Sequence, residues 1–249
     1  MMKATALEFR FRLIFMTLVI VLGFWAPWIE YLHWGTRTTA WLWLGFEISG
    51  LGISSAVGIR LATALTILVA AAAAAVRVWG TAHLGTGTVN NTEMKAGAVM
   101  ADGPYRYVRN PLYLGSWLMV AAISVLMSPT GALVTMVLLT IFLLRLILGE
   151  EAFLDAQLGE SYAAYFKAVP RLVPSLRPRV VASGQKPHWR RALLGEIMPL
   201  GVLASFATLS WQYNAELLIR AVLISFGLSL VVRAVILPRP GSPQPVAGR

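Results

Sequence analysis

The chain of 249 residues contains no cysteine. Disulfides, thiol nucleophiles and cysteine-ligated metals are therefore excluded, and redox compartment leaves no mark on the sequence. Histidine is scarce: His33, His83 and His188 stand far apart, without zinc or iron spacing, so no metal centre is expected. Neither a Gly-x-Ser-x-Gly elbow nor a His-Glu-x-x-His helix occurs, which argues against the common membrane hydrolases. Charged residues make up only 13% of the chain, against roughly a quarter in soluble domains. Hydrophobic residues make up 57%, and the mean hydropathy is +0.69. This composition is that of a polytopic membrane protein. Most of the nine tryptophans flank apolar runs, where indole rings favour the interface. The formal charge of +10 would suggest nucleic acid in a soluble chain. Here the basic excess lies in short loops beside apolar runs, where it sets orientation, and no nucleic-acid partner is expected.

Residues 13–32, 61–79, 112–128, 131–148, 193–211 and 215–237 are apolar runs, each close to the ~20 residues a helix needs to cross the hydrocarbon core. The expected fold is all-α, a polytopic membrane bundle of about six transmembrane helices plus a cytoplasmic amphipathic helix. Lys3, Arg10 and Arg12 precede the first run, which continues to Pro27-Trp28 without a small-x-small cleavage site and reads as a retained span. Residues 41–58 are apolar but hold Glu47 and a cluster of serines and glycines. If the basic segments 86–111, 167–192 and 238–249 share the cytoplasm with the basic N-terminus, parity requires 41–58 to lie in or dip into the outer interface. The chain divides into N-terminal helices (1–79), a polar-loop core (80–176), a basic linker with a C-terminal helix pair (177–237) and a proline-rich disordered tail (238–249).

Polar chemistry concentrates in Gly103-Pro-Tyr-Arg-Tyr-Val-Arg-Asn-Pro-Leu-Tyr-Leu-Gly115, set against the apolar run beginning at Leu112. A lone arginine at a span end, such as Arg109, ordinarily snorkels to the headgroups. Anchoring does not need the stiffening Pro104 and Pro111, the small Gly103 and Gly115, or the faces and hydroxyls of Tyr105 and Tyr113. A second element, Glu150-Glu151, closes a later apolar run, where two acids oppose the helix dipole. Either they open an amphipathic helix over 150–166 and pair with Arg145 one turn earlier, or they face a cationic or hydroxyl-rich ligand. Glu47 and Glu216 lie near predicted outer edges and read as solvated. Gly85-Thr-Gly87-Thr-Val-Asn90 follows a span rather than a strand, so a Rossmann or P-loop reading is rejected. The basic stretch 177–191 should attract anionic headgroups.

Taken together, the 103–115 loop, Glu150-Glu-Ala-Phe-Leu154, Leu158-Gly-Glu-Ser-Tyr162, Tyr165 and Pro170-Arg-Leu-Val-Pro174 resemble, in order and spacing, the paired signatures of the isoprenylcysteine carboxyl methyltransferase and phospholipid methyltransferase superfamily, in its bacterial type. The likeness covers roughly residues 77–174. It implies an integral membrane enzyme that binds S-adenosylmethionine without a Rossmann domain, in a cavity facing the cytoplasm, here of the bacterial inner membrane. It implies cofactor contacts at Asn90, Val99, Met100, Tyr105, Asn110, Pro111, Leu112, Tyr113 and Glu151, and catalytic roles for Arg109, Glu150 and Arg145. Asn110 stands where the family usually has histidine, and Arg145 only approximates the arginine that holds a substrate carboxylate in carboxyl-methylating relatives. The expected partners are the membrane and a lipophilic small-molecule or lipid acceptor, methylated on a carboxylate or a lipid amine. The competing reading is a non-catalytic membrane protein or transporter that keeps the signature; transporters usually show broken helices and mid-membrane charges.

Overall fold

The computed structural model describes residues 3–84 and 101–235, and all its regular secondary structure is helical, with no strand among the described residues. A capped turn, α1 (Ala6–Arg10), leads into α2 (Arg12–Trp25), which bends at Ala26 into α3 (Pro27–Tyr31), with Pro27 at the first helical position. Then follow α4 (Ala40–Ser49), α5 (Ser55–Leu84), a 3-10 turn at Gly103–Arg106, α6 (Pro111–Ser124) and α7 (Pro129–Leu158). The rest comprises α8 (Glu160–Ala168), α9 (Trp189–Gly195), α10 (Ile197–Leu209), a 3-10 turn at Ser210–Gln212 and α11 (Ala215–Val235).

The burial pattern is that of a protein in lipid. Leu61, Leu65 and Leu68 of α5, Leu133, Val137 and Ile141 of α7, and Leu223, Ile224 and Phe226 of α11 point outward. The interior of α5 is instead made of Ala62, Thr63, Thr66, Ala70, Ala73 and Ala74. Small side chains let backbones approach closely where no hydrophobic drive between helices exists. Accordingly α5 is the central helix, packed by α4, α6, α9 and α10, while α2 packs on α7 and α11 on α10. The α2–α7 crossing is tight: a Cβ on Gly131 would lie 2.2 Å from the Gly23 carbonyl oxygen.

The described residues contain four helices long and apolar enough to cross a membrane: Arg12–Tyr31, Ser55–Leu84, Pro129–Leu158 and Ala215–Val235. The pair Trp189–Gly195 and Ile197–Gln212, bent by 71°, makes a fifth if it is one span. The remaining expected span, 112–128, is α6, whose 14 residues rise only about 21 Å. Its far end nevertheless reaches the end of the bundle away from residues 101–110. There Ala40 and Trp41 donate backbone N–H groups to Met127 (2.7 Å) and Val125 (2.8 Å), and Trp28 Nε1 donates to Thr130 (3.0 Å). Residues 41–58 hold the ten-residue α4, about 15 Å long and too short to cross, folded back on the start of α5 at the same end. Trp41 Nε1 donates to Thr63 Oγ1 (3.1 Å) and its ring stacks on Tyr213.

Two boundaries differ from expectation. Helix α5 begins at Ser55 rather than 61, and α7 continues to Leu158, so Glu150 and Glu151 lie inside a long helix rather than at its end. The amphipathic segment is therefore divided: α7 stops at Gly159, which has φ +55°, and α8 starts afresh.

Candidate active site

The loop 101–110 is held by an extended strap, residues 170–188. Arg109 N–H donates to the Pro170 carbonyl (2.8 Å), Ser175 N–H to Tyr107 (3.0 Å) and Arg179 N–H to Arg106 (2.8 Å). Arg106 Nε donates in return to Val180 O (3.0 Å), and His188 N–H closes onto Ala82 O (2.7 Å). Asp102, only 4% exposed, anchors the strap's far part by accepting from Ser183 Oγ, Gly184 N (3.1 Å) and Gln185 N (3.2 Å). Burial by itself would raise this carboxyl's pKa. The three hydrogen bonds and nearby His83 outweigh it and hold the group below its ordinary value. Gly103 sits at φ +54°, and a Cβ there would fall 2.4 Å from the His83 ring, so the turn requires glycine.

Within this frame the two acids of α7 have different surroundings. Glu151 is 5% exposed, and both its oxygens are taken by protein donors. Arg109 Nε (3.0 Å), Asn110 Nδ2 (3.1 Å) and Arg171 Nε (3.3 Å) reach Oε1, while Arg171 Nε (3.0 Å) and Nη2 (2.9 Å) reach Oε2. Arg109 also donates to the carbonyls of Phe166 and Val169 and lies over the Phe166 ring, 4.0 Å from its centroid. Asn110 spends its second amide hydrogen on Arg171 O (3.2 Å), which leaves Oδ1 to accept from a ligand.

Glu150 accepts from Tyr113 Oη at 2.8 Å, with Arg12 nearby. The Tyr105 hydroxyl is buried without a hydrogen-bond partner among the described residues. Burial, together with the charge of Glu150, pushes its pKa well up, so it stays a neutral donor. A buried orphan hydroxyl beside a carboxylate is costly unless something completes it. Below Tyr105 lies a buried ion pair. Arg77 Nε and Nη2 hold Glu196, which is 0% exposed, at 2.6 and 2.9 Å; Thr81 Oγ1 adds 2.6 Å. Arg77 Nη1 reaches Ser116 Oγ (2.7 Å) and Leu112 O (3.3 Å), fixing the first turn of α6. Glycine at 115 allows this, since a Cβ would meet Arg77 Cγ at 2.4 Å.

Of the residues singled out by the sequence, Tyr105, Arg109, Asn110, Tyr113, Glu150 and Glu151 gather at one end of the bundle, with Pro111 and Leu112 forming the first turn of α6. Arg145 is turned elsewhere: it chelates Glu8 of α1 with contacts of 2.9 to 3.2 Å. Glu8, not the acidic couplet, is therefore its partner, and α1 is tied to α7 by that bond. Asn90, Val99 and Met100, the 85–90 glycine loop and the 238–249 tail lie outside the described residues. Glu216 is exposed and paired with Arg220, and Glu47 is exposed. Sequence reasoning missed Arg171, Asp102 and the Arg77–Glu196 pair. Arg171 lay in plain view inside the 170–174 motif. A separate cavity of about 340 Å³, lined by Thr39, Trp41, Leu42, Ile59, Arg60 and Tyr213 among others, opens at the opposite end. No carboxylate is among the residues that line it.

Residues 53–161 match the family described as phospholipid methyltransferase, a stretch that takes in α5, the 103–115 loop and both acids of α7. No curated protein and no solved structure matches the chain.

Proposed function

We infer, from a chain whose residues 53–161 match the phospholipid methyltransferase family and which has helices long and apolar enough to cross a membrane, that it methylates a lipophilic acceptor using S-adenosylmethionine. The observation that carries this reading is the Tyr113–Glu150 pair beside the partnerless Tyr105 hydroxyl. The residues suit such a cofactor: the Glu150 carboxylate for its cationic groups, a hydroxyl donor at Tyr105 and an amide acceptor at Asn110. When bound, the cofactor supplies an electrophilic methyl on a sulfonium, so the protein has chiefly to align, desolvate and manage a proton.

Glu150 is assigned as the group that accepts the acceptor's proton, with Tyr113 orienting its carboxylate. Glu151 is assigned to position: it clamps Arg109 and Asn110 so that the loop presents one fixed face. Pro111 and Leu112 are assigned to that face, and Asn90, Val99 and Met100 to the cofactor's remaining surroundings. The strap 170–188 keeps water from the polar cluster. Because Arg145 is committed to Glu8, a carboxylate acceptor lacks that arginine, and the geometry favours a lipid amine over carboxyl O-methylation. We assign 80–176 as the chemical core, with 1–79 as scaffold and 177–237 on the acceptor side. Arg106, Arg171, Arg177, Arg179 and Arg190 lie in the segments at the loop end; by the positive-inside rule this supports a cytoplasmic face, and we assign the membrane as a bacterial inner membrane.

Incubating purified protein with lipid extract and radiolabelled S-adenosylmethionine tests the reading. Label appearing in an aminolipid supports it. Label in methyl esters would replace the amine by a carboxylate, and no labelled lipid with any extract would remove the methyltransferase reading.

A further inference from the structure

At the end of the bundle away from the polar cluster, the cavity of about 340 Å³ is shared by three elements. Trp41 and Leu42 come from α4, Ile59 and Arg60 from α5, and Thr39 and Tyr213 from the residues that lead into α4 and α11. Its size falls within the roughly 300–1,000 Å³ of small-molecule sites. The aromatic wall is preformed: Trp41 is held by its bond to Thr63 Oγ1 (3.1 Å), and Tyr213, in a left-handed backbone conformation (φ 53°), stacks on it. Thr39 Oγ1 accepts from Leu42 N–H (3.3 Å) as the cap of α4, which leaves its hydroxyl hydrogen to donate. Arg60 has neither a hydrogen bond nor an ion pair among the described residues. The other arginines at this end are matched, Arg37 by Glu30 and Arg220 by Glu216. Glu47 of α4 does not serve Arg60. Gly45 and Ser49 are the α4 residues that meet Gly58 and Ile59 of α5, and Glu47, two positions from each, faces the other way. An interfacial arginine ordinarily reaches for any headgroup. This one lines a walled cavity, and an apolar lane starts beside it: Val57, Leu61, Leu65 and Leu68 lie exposed along one face of α5.

We propose that this cavity is a phospholipid site, separate from the methyl-transfer cluster. The lipid phosphate sits on Arg60 and the Thr39 hydroxyl, the glycerol backbone lies against the Trp41–Tyr213 wall, and the chains follow the apolar lane of α5. Charge complementarity selects the phosphate: an unmatched guanidinium and a hydroxyl donor, with no acid in the lining, suit an anion. The lane that continues from the cavity fits a lipid rather than a free phosphate. Trp25, Trp34, Trp43 and Trp211 are exposed around the same end, the level at which indole rings meet headgroups. Bound there, one lipid joins the fold-back helix α4 to α5 and to the start of α11. The site stands whether or not the polar cluster transfers methyl groups.

Native mass spectrometry of the full chain in neutral detergent tests it, with dioleoylphosphatidylglycerol titrated against dioleoylglycerol, which has the same chains and no phosphate. The first phosphatidylglycerol should bind about tenfold or more tighter than dioleoylglycerol, the scale of one charge-assisted contact. Arg60→Ala should lower that first affinity about tenfold, and Arg60→Lys should keep part of it. Because Arg60 is exposed, Arg60→Ala should melt within about 2 °C of wild type in lipid-free detergent. Ala56→Trp, which fills the cavity from an exposed lining position, should also displace the lipid. Arg177→Ala, at the loop end, should leave the first affinity unchanged. Excess glycerol 3-phosphate should not compete. Equal affinity for the two lipids, an unchanged first affinity in Arg60→Ala or Ala56→Trp, a larger loss in Arg177→Ala than in Arg60→Ala, or displacement by glycerol 3-phosphate would each overturn the proposal.

Discussion

Replacing each acid of α7 by glutamine separates a positioning role from a chemical one. Glu151 is 5% exposed and receives Arg109, whose side chain is 7% exposed, and Arg171, whose side chain is 38% exposed. Removing one partner of a buried pair costs about 3–5 kcal/mol. The Arg171 share is screened by solvent and worth under about 1 kcal/mol. A glutamine oxygen still accepts one bond from Arg109 or Asn110, so Glu151→Gln should cost about 2–3 kcal/mol. For a chain of this size that is a fall in Tm of about 5–10 °C. Among the described residues the Glu150 carboxylate has a single hydrogen-bonded partner, Tyr113, and a glutamine oxygen accepts that bond equally well. Glu150→Gln should therefore shift Tm by no more than about 2 °C, while losing about 100-fold or more in turnover if the carboxylate takes the acceptor's proton. Differential scanning fluorimetry in detergent, with radiolabelled methyl transfer on the same samples, reads both. Equal melting of the two variants, or a Glu150→Gln enzyme with wild-type turnover, would refute the division of labour.

The remaining predictions concern the frame. Asp102→Asn should release the strap at a cost of about 1–3 kcal/mol, seen as faster amide exchange at Gly184 and Gln185. Since the folded carboxyl titrates below its ordinary value of 3.8, its stabilisation is complete above that pH and is lost as pH falls through the folded value; protection of the strap that fades at neutral pH would contradict this. Glu196→Gln should destabilise by about 3–5 kcal/mol by stranding Arg77, whereas the double variant Arg77→Met/Glu196→Met should melt much closer to wild type. Gly131→Ala should push α2 off α7 at a cost of about 1–3 kcal/mol, given the 2.2 Å approach to Gly23 O; an unchanged Tm would refute that crossing.

The helical membrane architecture was legible because hydropathy and span length are local properties. The gathering of Asn110, Tyr113 and the acidic couplet was legible because two motifs with fixed internal spacing lie on adjacent helices. The end of α7 was misplaced because two adjacent acids resemble a helix border. Charges arriving from Arg109 and Arg171, far along the chain, let the helix run on to Gly159. Arg145 looked like the couplet's partner by helical spacing, but the capped α1 turn brings Glu8 to it. Asp102 and Glu196 leave no periodic trace at all. Each matters through a partner 80 to 120 positions away, and a single sequence does not encode such pairings as pattern.

Isothermal titration of S-adenosylhomocysteine into detergent-solubilised wild-type protein and Tyr105→Phe addresses the central claim most directly, because the buried Tyr105 hydroxyl has no partner to lose among the described residues. Saturable binding by wild type, weakened about tenfold in Tyr105→Phe with Tm unchanged or raised, is the predicted result. No saturable binding, or identical affinity in the two proteins, would contradict a cofactor site at this end of the bundle.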